Sequence, residues 1–224
     1  MKTLDRILQR WRINKTRPYI VNGARVLDIG CGCGRMALPL TRYLSPAGFY
    51  LGMDITQNPI LWCQEKISSR FPNFQFLHMD LYNKRYNPQG NYLAKDYVFP
   101  FQAESFDFIF LTSVFTHLLP EDTQNYLREI ARLKRPRGRV LMTFFLLNPT
   151  QQELAGQGLN EIDFRYGSGP YRLRNELVPE SAVAYEEVYL RELIAQAGLT
   201  LAEVHYGRWS GRGDGLSYQD ILIV

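Results

Sequence analysis

The sequence predicts an α/β fold built on a mostly parallel sheet, with helices on both faces and one antiparallel strand at the C-terminal end. Three observations carry this. Short apolar runs alternate with amphipathic stretches from Ala24 onward, a glycine-rich turn closes the first run, and two apolar runs near the C-terminus flank a glycine-rich turn. Residues 25–29 read as a buried strand closed by glycines, and 36–44 as a helix. Residues 49–53 form a second strand, followed by a helix with Ile60, Cys63, Ile67 and Phe71 on one face. The third and fourth strands are 74–79 and 106–111. A helix over 122–133 turns Tyr126, Leu127, Ile130 and Leu133 inward, and the fifth strand covers 139–146. Residues 187–197 form the last helix, with Leu190, Leu193, Ile194 and Ala197 on its inner face and Gly198 as its stop signal. Residues 199–206 and 218–224 are strands close enough to pair antiparallel around Gly211, Gly213 and Gly215.

With 224 residues, 46% hydrophobic and 21% charged, the chain suits a single domain over 1–224 with a sizeable core. No apolar run approaches the length of a membrane span, and residues 1–17 lack the apolar centre of a secretory signal, so a cytoplasmic location is expected. Cys31, Cys33 and Cys63 are an odd number and argue against a disulfide framework. Six bases against Asp5 give residues 1–17 a charge of +5, so the rest of the +4 chain sums to −1. The excess is one segment and not a nucleic-acid-binding surface. That segment places Leu4, Ile7, Leu8 and Trp11 on one helical face. It reads as a basic amphipathic helix docked on the domain, covering a site as a lid, or meeting a membrane surface or partner. Residues 82–101 and 148–185 are rich in Tyr, Asn, Gly and Pro without clear period. Irregular connections of that length at the carboxyl edge of a parallel sheet are candidate substrate walls.

The most informative stretch is V-L-D-I-G-C-G-C-G, residues 26–34. Gly30, Gly32 and Gly34 let the backbone turn tightly between a strand and a helix and approach a ligand closely. A pyrophosphate loop of the G-x-G-x-x-G type needs glycine where Arg35 stands, and Asp28 would repel a pyrophosphate. The same carboxylate suits a ligand carrying an ammonium group. In these residues the sequence resembles the class I S-adenosylmethionine-dependent methyltransferases. Asp28, Gly30, Gly32 and Gly34 match the family's D/E-x-G-x-G-x-G loop, Asp54 the acidic end of its second strand, and Asp80 the acidic residue after its third. Its fourth strand corresponds to S-F-D-F-I-F-L followed by T-S-V-F-T-H, residues 112–117.

The resemblance implies a Rossmann-like three-layer sandwich of seven strands in the order 3-2-1-4-5-7-6, with S-adenosyl-L-methionine as cofactor and S-adenosyl-L-homocysteine as product. It implies that the glycine loop borders the methionine part, Asp54 takes the ribose hydroxyls, Asp80 meets the adenine amino group and Ile55 packs on the adenine face. Cys31, Leu81 and Thr112 complete the implied cofactor set. Where the family commonly has K-P-G-G, this chain has Lys134, Arg135, Pro136, Arg137 and Gly138, expected as a turn before strand five with a solvated basic face. Asp107, at a strand start, is expected to be structural. Three cysteines are too few for a zinc site without histidines, and no metal is expected.

An oxygen nucleophile needs a base, and His117, following strand four, is the candidate, against a structural or cofactor-side role. His78 reads as core or support, and His205 is uninformative. The N/D-P-P-Y/F motif of amino-methylating nucleic-acid enzymes would fall after strand four, where Thr112, Ser113, Val114 and Phe115 stand instead. The acceptor expected is therefore a small molecule or glycan. An RNA or protein acceptor and a non-catalytic cofactor-binding subunit are the rival readings, and the oligomeric state is left open.

Overall fold

The computed structural model describes residues 20–224. The basic amphipathic segment 1–17 lies outside the described residues. The chain resolves into two compact units, the first comprising residues up to Asp80 with 100–111 and 133–140, the second comprising 81–99, 112–132 and 141–224.

In the first unit, β1 (Arg25–Ile29), β2 (Phe49–Asp54), β3 (Phe74–His78) and β4 (Phe106–Leu111) lie parallel, β1 pairing with both β2 and β4 and β2 with β3. Every residue of β1, β2 and β4 is buried except Arg25, Phe49 and Asp107, as expected for strands covered on both faces. Tyr50 and Phe74 stack at 5.0 Å in the core. Helix α1 (Ala37–Leu40) is shorter than the 36–44 expected, because Thr41–Leu44 continue as turns. Helix α2 (Gln57–Cys63) runs into a π-helical stretch over Gln64–Ser68. Together they bury Ile60, Cys63 and Ile67 and leave Phe71 half-exposed.

The fifth strand, β5 (Lys134–Phe144), starts five residues before the expected Arg139. The Lys134–Gly138 run that reads as a turn is extended backbone. Arg135 is held there by Asp107, its Nη1 donating to Oδ1 at 2.8 Å while Oδ2 accepts the Arg25 N–H at 2.8 Å. Asp107 is thus the structural residue that its place at a strand start implied.

In the second unit, helix α3 (Pro120–Leu133) buries Tyr126, Leu127 and Ile130. The end of β5 pairs antiparallel with β10 (Asp220–Ile223), which pairs with β9 (Glu203–His205). The full order β3-β2-β1-β4-β5-β10-β9 is the expected seven-stranded, mostly parallel, Rossmann-like sheet with an antiparallel C-terminal strand. The segment 148–185 is more regular than its composition suggests. It contains α4 (Pro149–Gly156) and most of a second sheet, β6-β8-β7, formed by β6 (Leu146–Leu147), β7 (Tyr171–Leu173) and β8 (Val183–Glu186). Asn148 caps α4 by accepting the Gln151 N–H at 2.9 Å, with proline at the first helical position. Helix α5 (Glu187–Gln196) follows β8 directly.

Candidate active site

The glycine loop leaves β1 with Gly30, Gly32 and Gly34 at φ of 80°, 52° and 71°, a region costly for residues with a Cβ. The N–H groups of Gly30 and Cys31 both donate to the Met53 carbonyl, at 2.7 and 2.9 Å, stitching the loop to the end of β2. Gly34 is packed: a Cβ there would lie 2.7 Å from Ile67 Cδ1 and 3.1 Å from Cys63 Sγ. Gly32 is the reverse, with nothing within 4 Å of its Cβ position, so the loop presents bare backbone there.

Asp54 is wired into this loop. Its Oδ2 accepts the Gly32 N–H at 2.8 Å, and its Oδ1 accepts the N–H and hydroxyl of Thr56. Oδ2 therefore keeps one lone pair for a further donor. The Asp54 carbonyl accepts the Met79 N–H at 2.9 Å, and the Ile55 carbonyl accepts from His78 Nε2 at 3.1 Å. These bonds bring Asp54, Ile55 and Asp80 together at the adjoining carboxyl ends of β2 and β3, and give His78 its supporting place. Asp28 has a different position from the ligand-facing one its charge suggests. It is 1% exposed beneath the loop, and its Oδ2 accepts the Tyr50 hydroxyl at 2.6 Å. Burial, with the Asp28 charge second, holds that hydroxyl protonated well above its usual range.

Cys31 and Cys63 are buried, each directing Sγ at the Gly32 carbonyl at 3.7 Å, while Cys33 is exposed. Burial pushes the Cys31 thiol up, with Asp28 and Asp54 adding to it, and pushes the Cys63 thiol up to about 12. Both are neutral packing groups at physiological pH. No group of three or more His, Cys, Asp or Glu able to hold a metal ion occurs among the described residues. A recess of about 450 Å³ lined by Arg25, Phe49, Phe101 and Phe106 lies at the amino ends of the strands, away from the motif residues.

In the second unit, Leu81 is buried and Thr112 half-buried. Ser113 follows with φ 64° and is tied by its N–H to Thr143 Oγ1 at 2.7 Å. Thr143 donates to Gln219, which donates to Ser113 Oγ at 2.6 Å. This closed ring of bonds fixes the backbone that leads into the 3₁₀ turn Phe115–His117.

His117 Nδ1 lies 2.8 Å from the Glu180 carbonyl oxygen. A carbonyl only accepts, so Nδ1 carries the proton and the neutral ring presents an unprotonated Nε2. Burial lowers the imidazole below its ordinary 6.5, the Glu180 and Ser181 backbone opposes that, and the Arg85 charge lowers it further. The ring is therefore neutral at pH 7. The sequence carries no signal for Glu180, whose contribution is a backbone carbonyl, nor for the Thr143–Gln219 pair.

A seven-stranded sheet of this order with a glycine loop leaving its first strand defines the class I methyltransferase fold. Residues 26–138, half of the chain, match the family described as a methyltransferase domain, and the chain belongs to that family, whose cofactor is S-adenosylmethionine. The phthiotriol/phenolphthiotriol dimycocerosates methyltransferase 1 of Mycobacterium ulcerans is 31% identical over 151 residues, covering 65% of this chain and 48% of that protein. The chain thus spans about half the length of that relative. Among solved structures, an S-adenosylmethionine-dependent methyltransferase from Aquifex aeolicus superposes with a TM-score of 0.60 at 18% identity, covering 99% of this chain and 94% of that one. The magnesium protoporphyrin IX methyltransferase of Synechocystis, with S-adenosylhomocysteine bound, gives 0.58 at 17%, covering 98% and 80%. At those identities the likeness is one of fold. No helix among the described residues is long and apolar enough to cross a membrane.

Proposed function

We propose that this chain transfers the methyl group of S-adenosylmethionine to an oxygen of a small molecule or glycan, with His117 as the base. The observation that carries the reading is the His117 tautomer: Nδ1–H is committed to the Glu180 carbonyl, so Nε2 is the unprotonated nitrogen of the neutral ring. The relative from Mycobacterium ulcerans is named for a triol, in keeping with an oxygen acceptor.

The geometry of the first unit fits the cofactor. The bare edge of the loop at Gly32 leaves room for a ligand beside Gly30, Cys31 and Gly34, and the remaining lone pair of Asp54 Oδ2 can accept a ribose hydroxyl. Ile55 would lie on the adenine face and Asp80 would take its amino group, with Leu81 and Thr112 completing the set. Bound there, S-adenosylmethionine supplies a methyl group that is already strongly electrophilic. The chain's own residues then have to orient the acceptor, exclude water and remove one proton. His117 Nε2 takes the hydroxyl proton as the oxygen–carbon bond forms, and desolvation keeps the imidazole neutral for that step.

The test is transfer of labelled methyl into fractionated extract of the source organism, with Asp54→Ala as the blank. Label is expected in the small-molecule or glycan fraction, and label confined to RNA or protein would overturn the acceptor class. Once an acceptor is in hand, His117→Ala is expected to lower kcat roughly 10²–10⁴-fold while leaving cofactor affinity within about twofold. An equal loss of both would make His117 a cofactor or structural residue.

A further inference from the structure

The loop 82–90 packs its own residues against the base, and this carries an inference that rests on the reading of His117 given above. The Tyr86 ring stands edge-on to the His117 imidazole, with centroids 5.3 Å apart and planes at 78°. The Arg85 guanidinium lies over the Tyr86 ring, 5.3 Å from its centroid. The loop that presents this pair is built. Asn83 is buried, its Oδ1 accepts the N–H groups of both Arg85 and Tyr86 at 3.0 Å, and its backbone exchanges two bonds with Asn87. Asn87 in turn donates through Nδ2 to the Leu81 carbonyl at 3.0 Å, and Lys84 Nζ donates to the Leu177 carbonyl at 2.9 Å. Tyr86 is nonetheless 42% exposed, so its ring adds little to the core. The Asn83 bonds therefore hold a large, half-exposed ring against His117.

We propose that Tyr86 is a positioning residue for His117, its ring closing a flank of the imidazole that the Glu180 carbonyl does not hold. Two contacts then define the ring plane. The Nδ1–H bond fixes one edge, and the Tyr86 ring blocks rotation about the last side-chain bond and shields the imidazole from water. Nε2 is left as the open position. The one charge that bears on the imidazole is Arg85, on this loop, while the turn Pro179–Ser181 meets it with the backbone of Glu180 and Ser181. Arg85 is seated on Tyr86 itself, so the ring contact and that charge come from the same loop.

The experiment is a pH titration of the His117 imidazole by NMR in protein labelled at its three histidines, assigned by His117→Gln. Tyr86→Ala, Tyr86→Phe and wild type are compared without cofactor. Removing the ring admits water to the imidazole, so Tyr86→Ala is expected to raise the His117 midpoint by about half a pH unit or more toward its ordinary value. The same variant should mix the two neutral tautomers in the ¹⁵N shifts. Tyr86→Phe keeps the ring and should restore both signatures. A midpoint and tautomer unchanged in Tyr86→Ala would overturn the proposal, as would Tyr86→Phe behaving like Tyr86→Ala. These readouts need no turnover. Should His117→Ala retain full methyl transfer, the base assignment fails, while the NMR result still decides whether Tyr86 positions the ring.

Discussion

Asp220 offers the sharpest test of how the second unit is held together. It is 2% exposed, and it takes three N–H donors from separate segments. Oδ1 accepts from Gly207 at 2.6 Å, and Oδ2 accepts from Leu146 at 2.7 Å and from the Trp209 indole at 2.8 Å. Burial pushes the carboxyl from 3.8 up to about 6, against the pull of those three bonds and of the Arg212 charge. The folded state therefore binds the proton more tightly than the unfolded chain, and this group makes stability fall as pH rises from about 4 to about 6. A displacement from 3.8 to about 6 corresponds to about 3 kcal/mol over the whole range, of which about 1.4 kcal/mol lies between pH 5 and pH 7.5. Asp220→Asn removes the titration but places an NH₂ group against one of the three donors, a fixed cost of roughly 1–3 kcal/mol for the N–H left unpaired. In urea unfolding, the deficit of Asp220→Asn relative to wild type is expected to be about 1.4 kcal/mol larger at pH 5 than at pH 7.5. Subtraction cancels the opposite contribution of His117, whose lowered pKa favours the folded state as pH rises. Equal deficits at the two pH values would refute the account of Asp220 as a buried, proton-linked clasp.

Other perturbations follow from single contacts. Gly34→Ala forces an alanine to φ 71° with its Cβ 2.7 Å from Ile67 Cδ1; the isoleucine can swing aside and the backbone cannot. Thermal unfolding should show a loss of roughly 1–2 kcal/mol. Asp107→Ala removes the acceptor for the Arg25 N–H and the partner of Arg135. It should cost about 1–2 kcal/mol in urea unfolding and leave S-adenosylmethionine affinity within about twofold. Asp54→Ala frees the Gly32 N–H as well as removing the proposed ribose contact. Calorimetry should show cofactor binding weaker by roughly 1–3 kcal/mol.

What could be read from the sequence is what repeats or punctuates. β1 and β4 are runs of buried residues closed by glycine or by polar turns, and a run buried on both faces is visible without knowing its neighbours. The glycine loop was legible because a positive φ excludes most other residues, so Gly30, Gly32 and Gly34 mark the chain path themselves. The start of β5 was not legible, because Pro136 and Gly138 are turn residues everywhere except where a partner holds them extended, and the partner here is Asp107, 28 residues away. The sheet β6-β8-β7 was missed for a related reason: strands of two to four residues are too short to show an alternation. The Asn148–Pro149 pair did announce α4 as cap and first-turn proline, a signal hidden by the polar composition around it.

The site divides along the same line, and the division has a physical cause. Asp54 and Asp80 stand at the carboxyl ends of β2 and β3, where the proposed cofactor site lies, so residue type and position coincide. His117 stands in a six-residue run after β4 and was legible as a titratable group. Its tautomer is set by a proton donated to a backbone carbonyl 63 residues later, and its ring packs against Tyr86. A carbonyl is common to all residues, and one tyrosine among fourteen is not singled out by type. Groups that act through their side-chain chemistry are therefore written in the sequence, whereas the groups that set their tautomer and hydration are written only in the fold. The same holds for Asp220, one aspartate in an apolar strand, whose three donors come from residues 146, 207 and 209 and are assembled only when β10 is in place.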